Sequence, residues 1–305
     1  MKSRIIILTL TLIAIFSMFS CASHEDSEFF EPTKSDEYQL DIFSGNTDFL
    51  LPDIFNIDNT LINRISFTSF DGSSEATIHG LYIGDLSEAS NRKIVVYSHD
   101  KSGNLDNYWP RIKLLANLGL DEYHILAIDY RGYGKSSGTP SEEAFYADTN
   151  AALQWLKDTH QVIDEQIVLY GFGLGSSAAI ELAGTPRSLE AQKLIIEAPL
   201  ASIESLLQED LLQSIPSKYL TDLSFNNVDK IKRVSQPTLW LHGSNDKVYD
   251  SQTQGQLVFN AHPGSSGTDK HKLIIDNADH SNIPEKIQNG FDGYLLQIRS
   301  FLESN

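Results

Sequence analysis

The residues whose types and spacing could do chemistry lie at 166–180. Residues rich in β-formers run into Gly171, Phe172, Gly173, Leu174 and Gly175, and the small and apolar residues that follow read as a helix. A strand, a sharp glycine turn and a helix are the setting of a nucleophile elbow, Gly-x-Ser-x-Gly, whose turn lifts a serine hydroxyl above the sheet. Gly171 and Gly175 hold the two glycine positions, and Gly173 stands where the serine should be. Glycine has no side chain with which to attack a carbonyl or to carry an acyl group. Ser176 is the candidate substitute nucleophile, with Ser177 beside it, but it lies about one turn further on. A helical turn rises about 5.4 Å, and catalysis tolerates a misplacement of roughly 1 Å. The same glycines after a strand also fit a dinucleotide fingerprint, with Glu197 as a ribose-binding acid. Against that reading, the third glycine of the fingerprint would fall on Ser176.

The surrounding chain has to position this turn. Residues 64–70 alternate apolar and polar, Asp71 and Gly72 make a hairpin-type turn, and 76–83 return as a second strand. From there strands and helices alternate. Short apolar runs at 93–98, 123–128, 166–170, 194–197, 238–242 and 272–275 suit strands covered on both faces. Helical spacing is present at 108–118, 141–156 and 284–302. Such alternation predicts a mostly parallel central sheet flanked by helices, with antiparallel strands at its N-terminal edge. Residues 22–36 read as a flexible acidic tether, and 38–63 as a stretch laid over the surface without regular structure. Residues 200–234, inserted after a strand, read as a short cap over the site crevice.

Three further motifs carry a resemblance. Residues 95–104 end a strand with Ser98, His99, Asp100, Lys101, Ser102, Gly103 and Asn104; residues 128–141 hold Asp129, Arg131, Gly132, Gly134 and Ser136; residues 237–248 hold His242, Gly243 and Asp246. Together with the elbow they resemble the α/β-hydrolase superfamily, in particular its minimally capped Bem46-like and serine-aminopeptidase-like members. The resemblance spans residues 64–302. It implies an α/β-hydrolase fold, related serine hydrolases acting on esters or amides, and a triad in the chain order nucleophile, acid, histidine. Position 173, Asp246 and His280 keep that order. The imidazole would take the nucleophile's proton, the carboxylate would fix its tautomer, and the backbone amides of Leu174 and Lys101 would hold the oxyanion. Asp100 replaces the family's usual glycine and brings a carboxylate to the place where negative charge would develop. His99 is expected to organise its loop, Asp129, Arg131 and Asp148 to brace the loop below the site, and Asp279 to be solvated. The sequence then supports two readings. In one the protein is a pseudoenzyme that keeps its pocket for a small ester, amide, peptide or protein partner; in the other it is a hydrolase using a non-standard nucleophile or a water activated by His280. No His, Asp and Glu cluster has metal-ligand spacing, and no cofactor is implied.

The first 20 residues read as a signal peptide. Lys2 and Arg4 precede an apolar run at 5–19, about 15 residues, short for a membrane span of roughly 20. The one cysteine of the chain, Cys21, follows at once, as in a bacterial lipoprotein whose cysteine becomes lipidated. The expectation is an exported protein anchored by lipid at an outer membrane or cell surface, with plain secretion as the alternative. A single cysteine allows no intrachain disulfide. Net charge is −18, and removing Lys2 and Arg4 with the leader takes it to about −20. Such acidity argues against nucleic acid and against charge-driven binding to anionic headgroups.

Overall fold

A computed structural model describes residues 29–209 and 221–304. The expected signal peptide, Cys21 and the middle of the expected cap lie outside the described residues. The strands are β1 (Glu31–Pro32), β2 (Ile62–Phe70), β3 (Glu75–Ile83), β4 (Lys93–Ser98), β5 (Ser102–Gly103), β6 (Tyr123–Asp129), β7 (Ile167–Phe172), β8 (Lys193–Glu197), β9 (Thr238–Gly243) and β10 (Lys270–Ile275). Eight of them form one sheet in the order β10-β9-β8-β7-β4-β6-β3-β2. The β2–β3 hairpin is antiparallel, and so is β3 against β6; every other pairing in the sheet is parallel. This is the mixed, mostly parallel α/β sheet that the alternation predicts.

The flanking helices are α1 (Leu105–Ala116), α2 (Glu142–His160), α3 (Gly175–Gly184), α4 (Ile203–Glu209), α5 (Asn227–Lys230), α6 (Gln256–Ala261), α7 (Ile283–Lys286) and α8 (Gly290–Glu303). Strand side chains alternate between faces. Ile94 and Val96 therefore pack on one side with Phe145, Leu153 and Ile180 of α2 and α3, while Val95 and Tyr97 pack on the other with Ile112 and Ile298 of α1 and α8. Both layers are sealed, which explains why the parallel strands read as continuous apolar runs. Among the described residues no helix is long and apolar enough to cross a membrane.

Two expectations need correction. The single helix expected over 284–302 is two, because Asn289 and Gly290 break it with φ +67° and +58°. Asparagine tolerates the left-handed region better than most residues, and the break lets α7 and α8 each turn apolar residues inward. The described part of the expected tether is also not loose. Phe30 is 3% exposed, and its ring packs on Phe145 at 5.2 Å and Phe225 at 6.1 Å. Burying Phe30, with Phe29 partly buried beside it, outweighs the local acidity, because each ring removes a large apolar area from water. The 38–63 stretch lies across the α1 and α8 side in three short 3-10 turns, burying Tyr38, Leu40, Phe49 and Phe55.

Candidate active site

The elbow forms as the sequence implies. β7 ends at Phe172, Gly173 takes φ +55°, and α3 begins at Gly175. That left-handed conformation costs an ordinary L-residue about 1–2 kcal/mol. The turn has the elbow's geometry with glycine in the serine's place. The space above it is filled. A Cβ placed on Gly173 would lie 2.8 Å from Asp100 Cβ and closer still to its Cγ and Oδ1. Asp100, at the end of the loop after β4, has put its carboxylate where a nucleophile's side chain would begin.

That carboxylate is held at both oxygens. Oδ1 accepts the Leu174 amide at 2.6 Å, and the Lys101 amide also bonds to the group. These are the two amides expected to hold an oxyanion. Oδ2 lies 3.3 Å from His280 Nε2. His280 Nδ1 is 2.8 Å from Asp246 Oδ2, which also sits 3.1 Å from His242 Nε2, while Asp246 Oδ1 accepts the amides of Val248 and Tyr249. The acid–histidine pair is therefore assembled as its chain order implies, and its free nitrogen faces a second carboxylate instead of a hydroxyl. Asp100, Asp246 and His280 are 5%, 1% and 8% exposed.

The charges follow from this enclosure. Burial alone would lower the pKa of His280, but hydrogen bonds and charge from Asp100 and Asp246 push it up to about 10. Burial alone would raise both carboxyls. For Asp100, His280 and the two amides outweigh it and hold the carboxyl below the usual range. For Asp246, His242 and His280 do the same, and more strongly. The resting centre is a carboxylate–imidazolium–carboxylate ion triad.

The other expected residues separate cleanly. Ser176 is fully buried, and its hydroxyl donates to Gly171 O at 2.8 Å, back toward the strand. Ser177 Oγ accepts from Asn227 Nδ2 at 2.8 Å. His280 Nε2 faces Asp100, and neither serine is turned toward it. His99 Nδ1 bonds to Asp100 O at 2.7 Å, organising its loop as expected. Arg131 pairs with Asp148 at 2.8 Å and with Asp71, and Asp129 accepts from Tyr38 Oη and the Leu105 amide. Asp279 caps Ser281 and Asn282 at the exposed surface. Glu197 is unsuited to a ribose: it is wholly buried against Arg111 at 2.7 Å and the hydroxyls of Tyr170 and Tyr294. Among the described residues no group of His, Cys, Asp and Glu could hold a metal.

Sequence reasoning missed Arg111 and the chain around β1. Arg111 is fully buried, and its Nη2 donates to Ser281 O at 2.7 Å, fixing the residue after His280. The only signal was a cation in the apolar stretch of a helix. β1 pairs in parallel with β5, Glu31 N donates to Lys101 O at 3.1 Å, and Thr33 N donates to Gly103 O at 2.8 Å. The N-terminal segment thus ties down the loop that carries Asp100.

Comparison with known proteins agrees with this architecture. Residues 89–236 match the family described as serine aminopeptidase, S33. The uncharacterised protein YfhR of Escherichia coli K12 is 28% identical over 215 residues, 68% of this chain and 72% of that one. The human alpha/beta hydrolase domain-containing protein 17C is 31% identical over 214 residues, 70% of this chain and 59% of that one. Among solved structures, the Pyrococcus furiosus esterase Pf2001 superposes with a TM-score of 0.61 at 18% identity, covering 90% of this chain and 97% of the esterase. The esterase RhEst1 of a Rhodococcus species gives 0.57 at 16% identity, covering 80% and 99%.

Proposed function

Because the chain belongs to the α/β-hydrolase superfamily, we propose that it is a member in which serine acyl transfer is impaired and the site is kept for binding a small ligand. One observation carries this reading: the Asp100 carboxylate stands in the nucleophile's space and takes the Leu174 amide. Acyl transfer needs a nucleophile, a neutral base and empty amides for the developing oxyanion. Gly173 removes the first, the imidazolium state of His280 removes the second, and Asp100 removes the third. The reading in which His280 activates a water for ester hydrolysis meets the same two obstacles. A cleft of about 470 Å³ is lined by Ser102, Tyr108 and Ser281, chain neighbours of Lys101 and His280 and not the buried centre itself, and is the ligand space this reading would use.

The test is a set of four proteins assayed on short activated esters: the natural chain, Gly173→Ser, Asp100→Gly and the double variant. The natural chain and both single variants should be inactive, because each lacks either the hydroxyl or the empty amides. The double variant should turn over, by at least the roughly 10²-fold that one oxyanion donor supplies. Ester turnover by the natural chain would sink the reading.

The expected address belongs to the same proposal. The apolar run at 5–19 and the cysteine directly after it support export and lipid attachment at Cys21, with outer membrane or cell surface as the destination. Expression with labelled palmitate should label the natural chain in the membrane fraction, and Cys21→Ala should abolish the label. Equal labelling of the two would rule out Cys21 as the anchor.

A further inference from the structure

The 38–63 stretch buries Leu40, Phe49 and Phe55 and leaves apolar neighbours of each outside. Ile42, Leu50 and Ile54 are 82%, 86% and 84% exposed, and no other large apolar side chain among the described residues exceeds 61%. Single apolar residues are scattered over every protein surface, whereas a contiguous group marks a contact. These three are grouped. Lys113 Nζ donates to Asp41 Oδ1 at 2.6 Å and to Asn56 Oδ1 at 2.7 Å, so the turns that carry Ile42 and Ile54 meet at one ammonium group on α1. Leu50, with Phe43 and Leu51, borders a cleft of about 310 Å³ over Trp109 and Pro110 of the same helix.

The same face adjoins the point where the described chain begins. Glu31 and Thr33 line the cleft of about 470 Å³ together with Asn46, Thr47 and Asp48, and Thr47 also borders the cleft beside Leu50. Asn107, in the first turn of α1, fixes this junction by donating from Nδ2 to Asn46 O at 2.7 Å. Cys21 is ten residues before Glu31, and ten residues span at most about 36 Å. A lipid on Cys21 therefore keeps this face within one short tether of a bilayer. A domain held that close turns some surface to the headgroups, and the surface that removes apolar area from water is favoured. We propose that Ile42, Leu50 and Ile54 dip into the bilayer interface and set the orientation of the protein on its membrane.

Charge selects among the surfaces that can cover these side chains. Between Ser35 and Asn63 the chain carries Asp36, Glu37, Asp41, Asp48, Asp53 and Asp58 and no lysine or arginine. Two copies meeting through this face would bring like charges together, which opposes self-association. Anionic headgroups are opposed for the same reason. A zwitterionic headgroup layer has no net charge to repel them. Half of these acids are also engaged within the fold: Asp41 pairs with Lys113, Asp48 pairs with Arg111 at 2.8 Å, and Asp58 accepts from the Thr60 amide and hydroxyl. The contact is left to three aliphatic side chains, which enter the acyl boundary without stranding a polar group there.

This docking rests on the reading that Cys21 carries the anchor, and the two can fail separately. The experiment uses the full chain, recovered from membranes and reconstituted into phosphatidylcholine vesicles. Cys21 is the one cysteine of the chain, so once it is lipidated an introduced cysteine is the one reactive thiol. An environment-sensitive fluorophore is placed at Leu50→Cys, at Ile54→Cys and, as a control across the sheet, at Ile163→Cys, where the side chain is 55% exposed. Both patch probes should shift to the blue and be quenched by spin-labelled phosphatidylcholine, and the Ile163 probe should do neither. Phosphatidylglycerol in the vesicles should weaken the quenching, and added salt should restore it. Ile42→Ser with Ile54→Ser should abolish quenching of the Leu50 probe while the lipid keeps the protein on the vesicle. Patch probes quenched no more than Ile163 would overturn the proposal. So would a blue shift without lipid quenching, since a second copy or another protein would then cover the face. If the anchor reading fails instead, Cys21 itself takes up the fluorophore. The same probes in a Cys21→Ala chain added to the vesicles should then still be quenched above Ile163, and equal quenching would overturn the docking as well.

Discussion

The two limbs of the site differ in how closely they match what hydrolase chemistry asks. The acid–histidine limb, at the ends of β9 and β10, has every part that hydrolase chemistry asks of it: Asp246 bonds to His280, two amides hold Asp246, and Arg111 holds the carbonyl of Ser281. The nucleophile limb, at the ends of β4 and β7, has the elbow's backbone but carries a negative charge. Gly173 still turns with φ +55°, but a hydroxyl that would be neutral at rest is replaced by an anion from the neighbouring loop. Packing fixes a backbone frame while one or two side chains fix the chemistry done on it.

If the acid–histidine limb depends on buried charge, cutting it should cost most. Arg111 is buried between Glu197, at 2.7 Å, and Asp48, at 2.8 Å. Arg111→Met leaves both carboxylates without their cation and should destabilise by about 3–5 kcal/mol, the usual cost of orphaning a buried ion. Urea denaturation measures it. Adding Glu197→Gln should recover part of the loss; if it recovers none, the cation's charge is not what matters.

The next break separates the limbs by pH. A histidine whose pKa is raised on folding, here to about 10, stabilises fully below its unfolded value and loses that contribution as pH rises through the folded one. The natural protein should therefore weaken between about pH 6.5 and 10, by at most about 1.4 kcal/mol per pH unit from this group. Asp100→Asn removes one of the two charges, so His280 should titrate lower by NMR and that slope should shift to lower pH. An unchanged His280 titration would mean that Asp246 alone sets it. A smaller effect is expected at the turn. Gly173→Ala must adopt a left-handed φ, at about 1–2 kcal/mol, and must also displace Asp100; in an Asp100→Gly background only the backbone cost should remain.

Much of this was legible in the sequence, for stated reasons. Periodicity located the parallel strands, because burial on both faces leaves no polar alternation to confuse them. Chain order located Asp246 and His280, and the glycine frame located the elbow. The position of the Asp100 carboxylate was not legible beyond its nearness to the site, since a side-chain rotamer over a turn 73 residues away is set by the packing of two loops. Arg111 escaped notice because helical spacing shows which face is buried but not which charged partners wait there. Phe29 and Phe30 were masked by acidic neighbours, which dominate composition while two rings dominate packing.

The smallest effect tests what ties β1 over the nucleophile limb. Glu31 pairs with Lys101, but the glutamate side chain is 59% exposed, so water and salt screen the attraction. The same strand offers backbone hydrogen bonds from Glu31 N and Thr33 N and the buried ring of Phe30. Exposed pairs contribute about 0.2–1 kcal/mol, and most of that is returned when one partner becomes neutral but still polar. Glu31→Gln should therefore shift stability by less than about 0.5 kcal/mol and leave its salt dependence nearly flat. A larger, salt-sensitive loss would mean that charge, and not the strand pairing and the aromatic anchor, holds this segment against the loop of Asp100.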